Sequence, residues 1–158
     1  MYKTFADLRA KRAKGDNGFT LIELLVVVVI LGVLIAIAIP VYLNYRKGAN
    51  DSAAESDVRN AISVMEVCNA GTGKYPTAAT TYPLATASTT TPCSGQTVTT
   101  STGTTLKYIA NTAGTCYTII ARNTGGAPKY WIYNSATAGS VTDAGTESLF
   151  NTPVAPSC

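Results

Sequence analysis

The sequence predicts an α+β protein in which a long N-terminal hydrophobic α-helix packs, through its C-terminal half, on a small antiparallel β-sheet. Three observations predict it. Leu24 to Tyr45 is 22 residues without a charge; the residues after Ser52 become amphipathic at helical spacing; and three short runs rich in Tyr, Ile and Trp follow, separated by turn sequences. At 158 residues the chain allows one modest domain plus a helix rather than two full domains.

The uncharged run comes first. At about 1.5 Å per residue its 22 residues span the roughly 30 Å of a bilayer core as a helix. Val and Ile dominate from Val26 to Ile39, a composition that suits a strand in water, but lipid requires every backbone polar group to be paired internally and so selects helix. Gly32 and Pro40 are the weak points. Proline removes one backbone hydrogen bond and crowds the preceding turn, so a bend or local melting is expected near Ala36 to Pro40. Tyr42 and Tyr45, just before Arg46 and Lys47, fit interfacial anchors.

Upstream, Gly18-Phe19-Thr20-Leu21-Ile22-Glu23 joins a glycine closing a basic segment, a phenylalanine opening the apolar stretch and a carboxylate inside it. Intramembrane ionisable groups are functional candidates. Glu23 either marks the aqueous boundary, favoured there by the helix N-terminus, or has a partner. This combination resembles the processing site and N-terminal helix of a type IV pilin, with a class III prepilin leader and a type IVa-like N-terminus. The similarity covers Gly18 to about Asn60, including Ser52-Ala53-Ala54-Glu55-Ser56-Asp57-Val58-Arg59-Asn60, roughly a quarter of the chain. It implies the pilin fold, cleavage between Gly18 and Phe19 by prepilin peptidase, and N-methylation of Phe19. It also implies that Glu23 pairs with the Phe19 amine of a neighbouring subunit during assembly, and that the helix partly melts near Pro40 in the filament.

Dividing the charge at Gly18 sharpens the reading. The leader holds Lys3, Arg9, Lys11, Arg12 and Lys14 against Asp7 and Asp16, 5 − 2 = +3. The remainder holds seven basic and seven acidic residues, a net of zero before termini. A positive segment before an apolar helix stays in the cytoplasm, so the rest is expected to be exported. Ala36-Ile37-Ala38 also reads as a conventional signal-cleavage site. Against that stand the length of the uncharged run, Glu23 at its start and Pro40 just beyond. The expected divisions are 1–18, a cleaved leader; 19–47, a transmembrane and filament-core helix; and 48–158, a globular domain that includes the amphipathic half of the helix.

Ala54, Val58, Ala61, Ile62, Met65 and Cys68 recur at spacings of three and four, with Glu55, Asp57, Arg59 and Glu66 between them. Ser52 and Glu55 fit a capping box, which allows a helix restart at Gly48 to Ser52, and Gly71 and Gly73 supply the stop. Thr72 to Thr105 is rich in Thr, Ser, Ala and Gly and reads as a long surface connection, with a threonine-rich edge strand within Thr97 to Thr105. Strand signals then fall at Leu106 to Ala110, Cys116 to Arg122 and Lys129 to Asn134. In the last, Tyr130 and Ile132 share one face and Trp131 and Tyr133 the other; either pair fits against the helix. Glu147 to Phe150 is a short apolar attachment.

Four cysteines, Cys68, Cys93, Cys116 and Cys158, suit an oxidising compartment and read as two disulfides. The favoured pairs are Cys68 with Cys93 and Cys116 with Cys158, each tying a flexible segment to a rigid element. With no CxxC and no histidine, no metal site is expected. Nor is a cofactor or an enzyme, because no nucleophile and base pair and no Gly-rich phosphate loop is present. The expected function is a structural subunit, the major pilin of a type IV pilus serving adhesion or motility. It would wait in the inner membrane and then join surface filaments, its partners being copies of itself, prepilin peptidase and the assembly machinery. A type II secretion pseudopilin shares the same first helix. A DNA-uptake role requires a phosphate-neutralising patch, for which Lys74, Lys107, Arg122 and Lys129 must converge. An electron-conduction role would run through Phe19, Tyr42 and Tyr45.

Overall fold

The computed structural model describes residues 19–77, 80–82, 89–90, 96–137 and 139–158. By its contacts the chain divides after Tyr42. In the first unit, residues 21–42 are helical and every described side chain is exposed. The helix, α1, spans Leu21–Thr72 and passes through Gly32, Pro40 and Gly48 without interruption. The local melting expected at Pro40 and the restart expected at Gly48 to Ser52 are therefore absent from this conformation. Proline deletes a single rung of the ladder, and the uninterrupted turns on either side hold it.

The second unit, Leu43–Cys158, holds the core. In α1 the buried residues are Asp51, Ala54, Asp57, Val58, Ala61, Met65 and Cys68, a stripe one face wide. The helix stops where Gly73, at φ 74°, takes the left-handed conformation and its N–H donates to the Asn69 carbonyl at 2.7 Å. Six strands follow among the described residues: β1 Thr80–Tyr82, β2 Thr89–Thr90, β3 Thr97–Val98, β4 Thr104–Ala110, β5 Tyr117–Asn123 and β6 Trp131–Asn134. Four of them form an antiparallel sheet in the order β1-β4-β5-β6, and β2 pairs with β3 in a separate ribbon. The sheet's edges are therefore β1 and β6, and the strand expected within Thr97 to Thr105 occurs as β3 but in the separate ribbon. β1 lies within the threonine-rich connection, whose side chains carry no core pattern to betray it.

Strand β4 alternates strictly, burying Thr104, Leu106, Tyr108 and Ala110. Opposite them on β5 stand Asn123, Ala121, Ile119 and Tyr117. Leu106, Tyr108, Ala110, Tyr117, Ile119 and Ala121 join Val58, Ala61 and Met65 in the main core, with Trp131 and Tyr133 packed at its margin. Tyr130 and Ile132 belong instead to a second cluster with Ile120 and Phe150 on the sheet's other face. That cluster is closed by α2, Glu147–Asn151, whose N-cap Thr146 accepts from the Leu149 N–H. β5 is thus buried on both faces, as its near-continuous apolar run requires.

Polar groups fix the margins of this packing. The buried carboxylate of Asp57 accepts from the Ser101 N–H at 2.8 Å and from its hydroxyl at 3.0 Å. Glu66 accepts from the hydroxyls of Tyr117, at 2.9 Å, and Tyr75, at 3.0 Å to its nearer oxygen. The Tyr75 and Tyr117 rings meet edge to face at 4.6 Å. At the β5–β6 turn, Gly126 lies so close to Asp51 Oδ1 that a side chain there would have to displace the carboxylate.

The C-terminal segment is held by a disulfide between Cys116 and Cys158, with Cα atoms 6.4 Å apart, and walls a cleft of about 420 Å³ with Ile120, Ile132, Pro153 and Val154. Of the other expected pair, Cys68 is buried on the core-facing stripe of α1. Cys93 lies outside the described residues.

Reduction of Cys116–Cys158, which bridges a sequence separation of 42, removes up to about 4 kcal/mol of unfolding free energy by chain entropy. Denaturant titrations with and without reductant will show a lower midpoint in the reduced protein; coincident curves would refute this. Burial, the hydrogen bond to Glu66 and the Glu66 charge all raise the Tyr117 pKa, in that order, and the Tyr75 pKa is raised by the same causes. Since the folded values exceed the unfolded value of about 10, this stability is fully present below about pH 10 and is lost as pH rises further. Tyr117→Phe, compared with its own stability at pH 7, will show a shallower alkaline loss than the parent.

Candidate functional site

The site is the start of α1 and the run that follows it. Phe19 is 85% exposed, and α1 begins two residues later. Thr20 and Glu23 close a reciprocal cap there. The Thr20 N–H and hydroxyl each donate to Glu23 Oε2 at 2.8 Å, and the Glu23 N–H donates to Thr20 Oγ1 at 3.3 Å. This is a T-x-x-E capping box, readable in Thr20-Leu21-Ile22-Glu23, yet the pattern predicted for that role was Ser52 to Glu55. Ser52 lies inside the continuous helix, and Glu55 pairs with Arg59 one turn on.

The cap explains how a carboxylate is tolerated at the head of an apolar helix. Its charge lies at the positive end of the helix dipole, and Oε2 takes both Thr20 donors. Oε1 receives no hydrogen bond among the described residues, so one oxygen of Glu23 remains to accept a donor from outside. Gly18 lies outside the described residues, so the expected cleavage pair is seen only at Phe19.

The rest of the run presents apolar side chains in every direction: Val28 is 54% exposed, Ile35 53% and Ile39 53%. The helix is long and apolar enough to cross a membrane. Tyr42 and Tyr45 are exposed below it, and neither they nor Phe19 has a ring partner among the described residues. The ring contacts lie in the globular unit, among Tyr75, Tyr108, Tyr117 and Tyr133 and between Tyr130 and Phe150.

Of the four cations proposed to converge, two do. Lys107 Nζ lies 4.8 Å and the Arg122 guanidinium 5.0 Å from the Phe150 ring centre. Lys129 is paired with Asp143 at 3.5 Å. Lys74 lies beside Gly114, in the turn at the other end of the β4–β5 hairpin from Arg122. No cluster of three or more metal-ligating residues occurs among the described residues.

Comparison with known proteins meets the chain at this same site. The family model for the prokaryotic N-terminal methylation motif matches residues 13–39. The chain is 47% identical over 53 residues to the type IV major fimbrial protein FimA of Dichelobacter nodosus, covering 34% of each chain. It is 37% identical over 62 residues to the type IV wide pilus major component PilA4 of Thermus thermophilus, covering 39% of this chain and 47% of that one. It is also 36% identical over 62 residues to the type II secretion system core protein G of Dickeya chrysanthemi, covering 39% and 40%. The matched stretch thus spans between a third and a half of these relatives. The N-terminal segment carries the prokaryotic N-terminal methylation motif and is similar to the corresponding part of type IV pilus and type II secretion proteins.

Thr20→Val removes both side-chain halves of the cap at Thr20, a loss of about 0.5–2 kcal/mol at the helix N-terminus. Hydrogen exchange of the full-length chain in detergent micelles will show faster exchange of the amides of Leu21 to Leu24, by roughly 2- to 30-fold. Exchange at Val58 to Met65 stays unchanged.

Proposed function

We propose that this chain, with its type IV pilin N-terminus, is a structural subunit of a surface filament. It is cleaved after Gly18, N-methylated at Phe19, held in the inner membrane by residues 19–47, and assembled so that the same residues pack against neighbouring copies. Residues 48–158 form the domain displayed on the filament surface. One observation carries this reading: an uncharged helix exposed on all sides begins with a carboxylate that keeps one acceptor oxygen open. Water is a poor solvent for such a surface, whereas lipid satisfies it before assembly and neighbouring helices satisfy it afterwards. The open oxygen suits the cation created at Phe19 by cleavage.

The type II secretion relative matches over the same length, 62 residues, as the Thermus pilus relative and at nearly the same identity, so similarity favours neither a pilus nor a pseudopilus. The disulfide-tied C-terminal segment and the threonine-rich surface connection favour an exposed pilus. Electron microscopy of sheared surface filaments, with N-terminal sequencing of their dominant protein, separates the two. A sequence beginning at Phe19 supports the pilus; secretion-competent cells with no surface filaments support the pseudopilus.

In cells, Glu23→Ala is expected to leave the leader cleaved and the protein in the membrane while sheared filament yield falls. A hydrogen bond to a charged group contributes about 1.5–3 kcal/mol, so the loss is roughly 10- to 100-fold. Full filament yield from this variant overturns the role assigned to Glu23.

A further inference from the structure

The cleft of about 420 Å³ on the sheet's outer face falls within the range of sites that enclose small molecules. Two rungs of the β5–β6 ladder make its floor: Ile120 pairs with Ile132, and Thr118 with Asn134. Residues two apart on a strand share a face and lie about 7 Å from each other. The floor is therefore aliphatic at one rung and hydrogen-bonding at the next. The walls keep this order. Leu149 adjoins Phe150, which packs on Ile120, and so closes the aliphatic end. Thr137 follows Asn134 by three residues, and Ser157 adjoins the Cys158 that is bridged to Cys116, two residues before Thr118; both lie toward the polar rung. Among the described residues that line the cleft, none is charged and none is aromatic.

Packing within the chain accounts for Ile120, which is fully buried, but not for the rest. Val154, on the rim, is 68% exposed and nothing in the chain covers it among the described residues. Thr118 is only 8% exposed, yet its hydroxyl has no hydrogen-bond partner among the described residues. Asn134 uses its Oδ1 to accept from the Ala136 N–H at 2.9 Å, which leaves its amide N–H groups to donate elsewhere. A nearly buried polar group without a partner is costly, and a ligand that bonds to it removes the cost. An ionised ligand would meet no counter-charge in this lining and would lose its hydration on entry. We propose that the cleft binds a small neutral aliphatic molecule with a single hydroxyl or amide end. Its chain lies over Ile120 and Ile132, and its polar end bonds to Thr118 and Asn134.

The test uses the full-length chain in phospholipid nanodiscs, isoleucine-methyl NMR, and 1-hexanol as the probe. It reads single subunits, so its outcome is independent of filament assembly. The Ile120 and Ile132 methyl signals are expected to shift saturably with hexanol. Ile35, in the exposed first half of α1, reports partition of the probe into lipid and is expected to drift without saturating. Thr118→Val keeps the shape of the floor and removes its hydroxyl, and is expected to weaken binding by roughly 2- to 12-fold. The methyl of Ile119, in the main core, confirms that this variant is folded. Hexanoate, of the same chain length but ionised at pH 7, is expected to give no saturable shift. Alike, unsaturable drift at Ile35, Ile120 and Ile132 would mean partition alone and overturns the proposal. So does equal hexanol affinity in the parent and Thr118→Val, or hexanoate binding as tightly as hexanol.

Discussion

The docking of the α1 stripe of Val58, Ala61 and Met65 onto β4 and β5 is the contact on which the globular unit depends. Its geometry follows from side-chain size. Alanines at 54 and 61 leave room on the helix, and Tyr108 and Tyr117 supply large groups from the sheet. The carboxylates of Asp57 and Glu66 lie along the same half of the helix, the first tied to Ser101 and the second to Tyr117. Apolar burial gives this interface its free energy, and the two carboxylates give it a unique register.

Within one unbroken helix, two patterns of side chains meet. From Leu24 to Tyr45 every face is apolar; from Asp51 to Cys68 only one is. A helix that is apolar all round has to be surrounded, whereas one with a single apolar stripe has only to be placed against something. The first half therefore requires partners outside the chain, and the second finds its partner within it. The Thr20–Glu23 cap belongs to the first half: it holds a charge at the boundary without using all of that charge's bonding capacity.

Much of this was legible in residue patterns, because period and punctuation are local. The stripe at 54, 58, 61, 65 and 68, the stop at Gly73, the three C-terminal strands and the attachment at Phe150 each follow from spacing or from turn chemistry, and the Cys116–Cys158 bridge is the favoured pairing of a flexible end with a rigid element. What escaped was of two kinds. β1 lies in threonine-rich chain without alternation, and only its pairing with Leu106 to Tyr108 makes it a strand. The choice between Tyr130–Ile132 and Trp131–Tyr133 as the helix-facing pair is likewise not local. It is decided by α2, whose Phe150 claims Tyr130 for the opposite face. The capping box was legible and was assigned to the wrong serine or threonine, since S-x-x-E inside a long helix has no free N–H groups to cap.

Trp131 has a consequence of its own. It is the one tryptophan in the chain, it packs half-buried at the edge of the main core, and its Nε1 is enclosed with no hydrogen-bond partner among the described residues. The indole emission of the whole protein thus originates where helix and sheet meet, in surroundings that lose their dryness as soon as the two separate. The fold carries its own optical gauge of helix docking, sensitive to that one interface and indifferent to the exposed first half of α1.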